Sequence, residues 1–347
     1  MFGWPKVKVL IRYLVLFAGL LFVVALTLAA FGLDVVQSIN YLWRGAAGDS
    51  VAIGRTLVRA TPLTLAGLGI VVAWRAGMYN IGGEGQYVLG GIGGAIVAKL
   101  LVGIAPGVLS VLIILAGAGF GALLGAFAGW LQVKRGVQVV ISTILMNFLA
   151  LLLLEWSLRG PLQESKGQTF VSESLPNAVM LMRPDRQSDL HVGVFVALLA
   201  VVAVWVFLKF TPAGFRLRVV GESASAARAN KIDVGKTQIR AMALSGGLCG
   251  LAGVIDYVGL TGRLADGFAQ NWGFIAIPVA LLGGLNPWGT IVSATYFGGL
   301  FAGSEVLKRF TPIGSSLVPA VQGLAVLAFV GLSYWLNQRS EAKNGSD

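Results

Sequence analysis

Cysteine and histidine are almost absent from this 347-residue chain, which contains only Cys249 and His191. A single cysteine cannot form an intramolecular disulfide, and one residue of each type is too few for a zinc site built from them. The sequence also has no arrangement of serine, histidine and aspartate suited to catalysis. We therefore expect no metal site and no enzymatic activity in this chain.

Charge is also scarce. Only 12% of the residues are charged, whereas a soluble domain has about 25%. Hydrophobic residues make up 56% of the chain and the mean hydropathy is +0.81, so there is too little polar surface to cover a water-soluble globule. The net charge is +11, but the basic residues lie in short links between apolar runs. That pattern is typical of membrane topology and not of nucleic-acid binding.

The apolar runs predict an all-α integral membrane protein, a single transmembrane domain over residues 1–347 with about ten transmembrane segments. A segment that crosses the bilayer needs roughly 20 mostly apolar residues. The eighth run is too short to cross as a straight helix, and we interpret the first as a retained helix, not a signal peptide. The predicted spans are 10–33, 56–74, 84–101, 106–130, 137–156, 191–209, 239–258, 272–284, 288–307 and 314–336.

Lysines and arginines predict the orientation of these spans. Residues 209–240 contain seven basic and two acidic residues, so we place the link 210–238 in the cytoplasm. Both termini then also face the cytoplasm, and the long polar link 158–190 lies outside. No linker divides the chain into separate soluble domains.

The first motif runs from Asn80 to Gln86, at the start of the third span. Its three glycines, at 82, 83 and 85, disfavour regular helix and free backbone polar groups. Irregular backbone at membrane depth is tolerated only inside a protein or beside a wet cavity, and a carboxylate such as Glu84 there needs partners. The alternative is a polar turn at the interface, in which Glu84 is solvated.

The second motif, Leu282 to Gly289, interrupts an apolar stretch at Asn286 and Pro287. If ten spans form two halves of five, the halves are inverted repeats and both motifs fall on their third spans. Paired broken helices in corresponding places indicate a transport pathway. The alternative is an ordinary tight loop between two helices.

Two further spans carry informative patterns. Thr143 and Asn147 lie one turn apart on the same face of the fifth span, where an asparagine can line a cavity or bond another helix. The fourth span has glycines at i+4 spacing, which favour close packing inside the subunit or at a subunit interface. These glycines are Gly117, Gly121, Gly125 and Gly129. Asp256 and Glu305, near the outer ends of their spans, are expected to be solvated.

The basic link contains an alanine-rich stretch, residues 221–234, which favours a short helix. A partner protein could grip this polar segment, although a plain basic loop that only sets topology has the same composition. Gly235-Lys236-Thr237 resembles the end of a phosphate-binding loop, but Asn230 occupies the position of the required glycine. The chain therefore has no ATP-hydrolysing motif of its own.

These motifs together resemble the permease subunits of bacterial ATP-binding cassette (ABC) importers of the branched-chain amino acid, ribose and nucleoside group. The chain is most similar to the nucleoside and simple-sugar branch, whose FNIGAEGQ signature it matches with Tyr79 for Phe and Gly83 for Ala. Residues 221–234 resemble that branch's cytoplasmic coupling loop, with Lys231 at a usual glycine. Residues 241–253 and 280–289 resemble two further family motifs, with Gly284 and Leu285 replacing a polar pair.

The resemblance implies a multi-pass protein of the bacterial inner membrane that translocates a nucleoside or a ribose-like sugar. The expected partners are two ATPase subunits, which would use ATP and magnesium, a second permease subunit that is a different chain, and an extracytoplasmic solute-binding protein. This chain itself would hold no cofactor. Coupling would run through a set of loop residues, which are Gly221, Glu222, Ala226, Ala227, Arg228 and Ile232.

We further expect five polar side chains to lie at or near the solute route, because amides both donate and accept hydrogen bonds, which suits a solute rich in hydroxyl and ring nitrogen groups. They are Asn80, Glu84, Gln86, Asn147 and Asn286. Glu84 could instead hold broken helix ends together by accepting from freed N–H groups. An ion-coupled secondary transporter is the alternative function, with Glu84 as its coupling site. A membrane-embedded enzyme would need a catalytic constellation that the sequence lacks.

Overall fold

A computed structural model describes residues 22–310 except 166, 168, 185 and 186, together with residues 19, 323, 324, 327 and 331. In this part of the chain the regular structure is helical, as predicted, and residues 22–30 are also helical. The helices are α1 (Val35–Ala47), α2 (Ser50–Arg75), α3 (Gly83–Leu100), α4 (Pro106–Arg135), α5 (Val139–Leu158), α6 (Gly193–Phe210), α7 (Pro212–Glu222), α8 (Ala224–Ala229), α9 (Val234–Asp256), α10 (Trp272–Leu282) and α11 (Pro287–Phe310). A π-helical turn, Tyr257–Thr261, extends α9.

The predicted second to ninth spans coincide with α2 to α6 and α9 to α11, with their ends shifted by a few residues. The span 314–336 lies almost wholly outside the described residues, as does the first part of 10–33. Among the described residues, five helices are long and apolar enough to cross a membrane, namely α2, α4, α5, α6 and α9 with its π-helical turn. The total of ten spans stays a prediction.

Helix α10 is short, as the sequence predicts. Its 11 residues span about 16 Å at 1.5 Å per residue, roughly half the hydrocarbon thickness of a bilayer. Such a segment can end within the membrane only where its terminal backbone groups find partners inside the protein. The partners at its N-terminus are therefore informative.

Contacts divide the described residues into two units, one of which combines residues up to Ile53 with those from Gly299 onward. Its apolar core contains Val24, Leu28 and Leu307. The rings of Tyr41 and Phe310 stack with their centroids 4.9 Å apart. The other unit, residues 54–298, contains all of the residues that we predict to have functional roles.

The larger unit is built around the close packing of α4 against α9. A Cβ atom at Gly121 would overlap the backbone of Gly246, and one at Gly125 would overlap the backbone of Met242. The other two glycines of the i+4 series, Gly117 and Gly129, also face α9. The series therefore packs inside the subunit, which decides between the two alternatives that the sequence left open.

Helix ends that are predicted to lie on the same side of the membrane contact one another. On one side, the Arg75 guanidinium Nε donates to the Leu285 carbonyl at 3.1 Å. On the other side, Lys99 Nζ donates to the Pro161 carbonyl at 2.7 Å and Ser110 Oγ to the Val179 carbonyl at 2.6 Å. These three contacts each join helix ends that the sequence places on the same side, and the order of crossings stays a prediction.

Candidate functional site

The chain is irregular between α2 and α3, at the motif that the sequence singles out. Helix α2 ends in a tight turn at Gly77, whose φ of 71° is left-handed. The Met78 N–H donates to the Ala73 carbonyl and the Gly77 N–H to the Trp74 carbonyl, both at 3.0 Å, which is the Schellman pattern of a helix end. The chain then runs without helix to the start of α3 at Gly83.

Asn80 is the centre of a buried amide network in this irregular segment. Its Oδ1 accepts from the Gly82 N–H at 2.8 Å, and its Nδ2 donates to Gln86 Oε1 and to Ser245 Oγ, both at 2.9 Å. Gln86 Nε2 donates back to Asn80 Oδ1 at 3.3 Å. Because both side chains are buried and bonded to protein groups, they fix the path of the backbone between α2 and α3.

Thr143 and Asn147 of α5 both contact the same segment. Asn147 Oδ1 accepts from the Gly85 N–H at 2.8 Å, while its Nδ2 donates to the Ile81 carbonyl at 2.9 Å. Thr143 Oγ1 accepts from the Ile81 N–H at 3.3 Å. The face that these two residues share, as the sequence predicts, is therefore turned toward the non-helical segment between α2 and α3. Its polar groups bond to backbone groups that have no partner within a helix there.

Glu84 joins the start of α3 to the start of α10. Its Oε1 accepts from the Asn271 N–H at 2.9 Å, and its Oε2 accepts from the Gly273 N–H at 2.7 Å. The side chain is only 2% exposed, so the alternative of a solvated interfacial turn is wrong. A carboxylate is favourable at a helix N-terminus because it satisfies unpaired N–H groups and opposes the positive end of the helix dipole.

The two helix starts approach so closely that Gly273 has no room for a side chain. A Cβ atom on Gly273 would overlap the backbone of Glu84, and one on Gly83 would lie 3.1 Å from the Gly273 carbonyl oxygen. Two N-terminal ends of helices thus meet, and the Glu84 carboxylate lies at their junction. Both helices are the predicted third spans of their halves.

Asn286 has a different position from the other predicted route residues. It is exposed, and its Oδ1 accepts from the Trp288 N–H at 2.9 Å. Its backbone carbonyl accepts from the Thr290 N–H at 2.8 Å. Asn286 therefore caps the start of α11 within a tight turn, in which Gly284 and Leu285 have left-handed backbone angles. The broken helix of the second half meets Glu84 at its start, near Asn271, and not at its Asn286 end.

The basic link folds into two short helices, α7 and α8. Ala227 is fully buried, while Glu222, Ala226 and Arg228 are exposed. A Cβ atom on Gly221 would overlap the Arg75 carbonyl, so this link packs tightly against the end of α2. The short helix that the alanine-rich stretch predicts is present as α8.

Lys231 follows α8 and has a φ of 57°. The Ile232 N–H donates to the Ala227 carbonyl and the Lys231 N–H to the Arg228 carbonyl, both at 3.0 Å. This is again the Schellman pattern, and its left-handed position normally has glycine. The turn is thus formed although lysine replaces the family's usual residue. Asp233 then caps α9, and its hydrogen bond from the Lys236 N–H lowers its pKa below the ordinary value.

Several buried polar residues of this region are not evident from the sequence. The Tyr87 hydroxyl donates to the Asp256 carboxylate, and Asp256 is 6% exposed, so the expectation that Asp256 is solvated is wrong. Asn271, Gly273 and Ser245 also belong to the site. The sequence carries one signal for Asn271 and Gly273, which is their position at the start of the short eighth apolar run.

Comparisons with known proteins identify the class. Residues 52–330 match the family described as "Branched-chain amino acid transport system / permease component", and the chain belongs to this family of membrane permeases. The membership confirms the resemblance, and with the apolar helices it makes the chain a multi-pass membrane protein. No solved structure gives a significant match.

Three relatives of known description are similar over most of their length. A guanosine ABC transporter permease, NupP of Bacillus subtilis, is 34% identical over 314 residues, covering 89% of each chain. A glucose ABC transporter permease, TsgB13 of Haloferax volcanii, is 31% identical and covers 90% of this chain and 84% of its own. A nucleoside ABC transporter permease, NupB of Lactococcus lactis subsp. cremoris, is 29% identical over 94% of this chain and 92% of its own.

Proposed function

We propose that this chain is the permease subunit of an ABC importer that carries a nucleoside across the membrane. Family membership supports the transport class, and the guanosine and nucleoside permeases among its relatives support the solute class. The observation that carries the proposal in structural terms is the meeting of α3 and α10 at Glu84. Paired broken helices in the two halves of a transporter indicate where its solute crosses.

In this proposal, the buried polar residues at the break act as positioning residues beside the solute route. Asn80, Glu84, Gln86 and Asn147 all have protein partners, so their side chains are already engaged. They hold the starts of α3 and α10 together, and the solute passes beside this junction. Asn286 lies in the turn that Arg75 also contacts, and we place it at the inner mouth of the route.

Coupling to ATP hydrolysis would act on the same junction through the basic link. We place this link in the cytoplasm, with the exposed side chains of Glu222, Ala226 and Arg228 facing an ATPase subunit. Ala227 and Ile232 hold α8 in shape. Gly221 contacts the carbonyl of Arg75, and the non-helical segment that contains Asn80 begins only a few residues after Arg75. A shift of the link therefore moves the end of α2 and, through it, the junction at Glu84.

The remaining parts of the transporter would be separate chains. Two ATPase subunits would bind ATP and magnesium, a second and different permease subunit would complete the route, and a solute-binding protein would deliver the solute from outside. The termini would face the cytoplasm. Conformational change would follow because ATP and solute each bind one access state better than the other.

An ion-coupled secondary transporter is less well supported. Its coupling carboxylate must exchange an ion or a proton, whereas both Glu84 oxygens accept backbone hydrogen bonds and Asp256 accepts from Tyr87. Sugar transport is the second candidate for the solute, because a glucose permease is among the relatives.

Uptake measurements separate these functions. In cells that lack this gene, we expect nucleoside uptake to return with the wild-type chain and to stop when ATP is depleted. Dissipating the ion gradients while ATP is maintained should leave uptake unchanged. Loss of uptake with the gradient would favour the secondary transporter, and uptake of labelled ribose or glucose but not nucleosides would favour the sugar.

A further inference from the structure

A basic cavity of about 570 Å³ lies between the end of α6, helix α7 and the start of α9. Its cationic residues are Arg216, Lys231, Lys236 and Arg240, and its one carboxylate is Asp233. Lys236 Nζ pairs with that carboxylate at 3.2 Å. Across residues 22–310, apart from the four undescribed positions, no carboxylate lies within ion-pair distance of the other three cations. The cavity therefore has an uncompensated positive charge.

An apolar groove of about 360 Å³ continues from this cavity between α6 and α9. Phe207 and Leu244 line both the cavity and the groove. The other groove residues are all aliphatic, and they include Leu199, Ala200 and Ala203 of α6. Helices α6 and α9 are both apolar enough to cross the membrane, so the groove runs along the hydrocarbon layer while the basic cavity lies at one end of those helices.

We propose that the cavity and groove together bind one anionic phospholipid, with its phosphate among Arg216, Lys231 and Arg240 and an acyl chain along the groove. The charge fits a phosphate, since basic pockets between transmembrane helices bind anionic headgroups. The apolar continuation fits a hydrocarbon chain, which a free phosphate or a soluble nucleotide does not have. A partner protein could cover the cavity, but it would leave the groove within the bilayer unexplained.

The site adjoins the link that we assign to coupling, because Lys231 lies in the turn that follows α8. A bound lipid would therefore tie α7 and the start of α9 to the membrane surface. The inference concerns lipid binding and does not depend on which solute the transporter carries.

The test measures lipid binding to the full chain, purified in detergent with the subunits that accompany it. Native mass spectrometry would follow titration with phosphatidylglycerol and with zwitterionic phosphatidylcholine. We expect phosphatidylglycerol to bind at least about tenfold more tightly than phosphatidylcholine. The double variant Arg216→Gln/Arg240→Gln should lose about tenfold in affinity for phosphatidylglycerol, because each basic residue near the phosphate contributes to the binding free energy. Lys308→Gln/Arg309→Gln removes the same charge from the end of α11 and should bind like wild type.

A second variant tests the groove separately. Ala203→Trp keeps every charge but fills the groove, so it should weaken phosphatidylglycerol binding while leaving binding of inorganic phosphate unchanged.

Equal binding of both lipids, or equal losses in the two double variants, would overturn the proposal. Phosphate competing as well as the lipid would show a soluble anion site instead. Release of the lipid whenever ATPase subunits are bound would assign the surface to the partner protein. A thermal-unfolding profile like that of wild type checks that each variant is folded.

Discussion

The Glu84 Oε2 accepts a 2.7 Å hydrogen bond from the Gly273 N–H, a residue 189 positions further along the chain. The bond links the first turns of two helices whose starts both lie inside an apolar bundle. In water such a bond would contribute little, but within a bilayer the unpaired N–H groups have no other partner.

Glu84→Gln should damage stability and transport together. The glutamine amide has one oxygen and one NH₂ group, so one of the two backbone N–H groups loses its acceptor and faces a donor. We expect the free energy of unfolding to fall by about 2 kcal/mol, with lower abundance and lower uptake. Thermal unfolding in detergent and uptake in cells would measure both.

The control for this experiment is Glu155→Gln in α5. Among the described residues, Glu155 pairs only with Arg159 on the surface, where both side chains are more than half exposed, and such pairs contribute little. Transport that falls in Glu84→Gln while stability and abundance stay at wild-type values would contradict the positioning role. That result would indicate direct contact with the solute.

Gly221→Ala should uncouple ATP hydrolysis from transport. The added methyl group would overlap the Arg75 carbonyl, so α7 must shift away from the end of α2. We expect nearly normal abundance, uptake lowered by about tenfold or more, and ATP hydrolysis that no longer responds to solute. Gly119→Ala is a matched control, because the space around that helical glycine is open. Unchanged uptake in Gly221→Ala would show that this contact does not transmit the coupling.

Lys231→Gly should stabilise the protein slightly. Lysine adopts a left-handed backbone angle at this position, which costs a residue with a Cβ about 1–2 kcal/mol. Glycine removes this cost, but it loses more backbone freedom on folding, which offsets part of the gain. We expect a net gain of about 0.5–1 kcal/mol, seen as a higher melting temperature. The β-branched Lys231→Val should lower it. If glycine lowers the melting temperature as much as valine, the turn at the end of α8 does not have this geometry.

Gly121→Val should prevent α4 and α9 from packing. Even a single Cβ atom at this position would overlap the backbone of Gly246. The larger valine side chain must therefore push the two helix backbones apart, at a cost of about 3 kcal/mol or more. We expect little folded protein after size-exclusion chromatography. Gly119→Val, on an open face of the same helix, should fold normally. Equal yields of the two variants would refute the packing.

The sequence predicts some parts of this arrangement better than others. The helices follow from apolar runs whose ends lie at glycine, proline and charged residues, and Thr143 and Asn147 share a face because they are one turn apart. The pairing of Glu84 could not be predicted, since Asn271 and Gly273 lie 187 and 189 positions further along the chain. The burial of Asp256 could not be predicted from its place near the end of a span, because its partner Tyr87 is 169 positions away in the chain.

Nucleoside uptake by cells that depend on this chain is the most direct test of the account. The gene would be deleted, then restored as wild type or as Glu84→Ala, and uptake of labelled nucleoside would be measured with abundance determined by immunoblot. The account predicts saturable uptake with the wild-type chain that stops on ATP depletion. With Glu84→Ala, which leaves the Asn271 and Gly273 N–H groups without their acceptor, abundance and uptake should fall together, with uptake at about a tenth or less. Nucleoside uptake that is the same with and without the gene, or that continues without ATP, would contradict it.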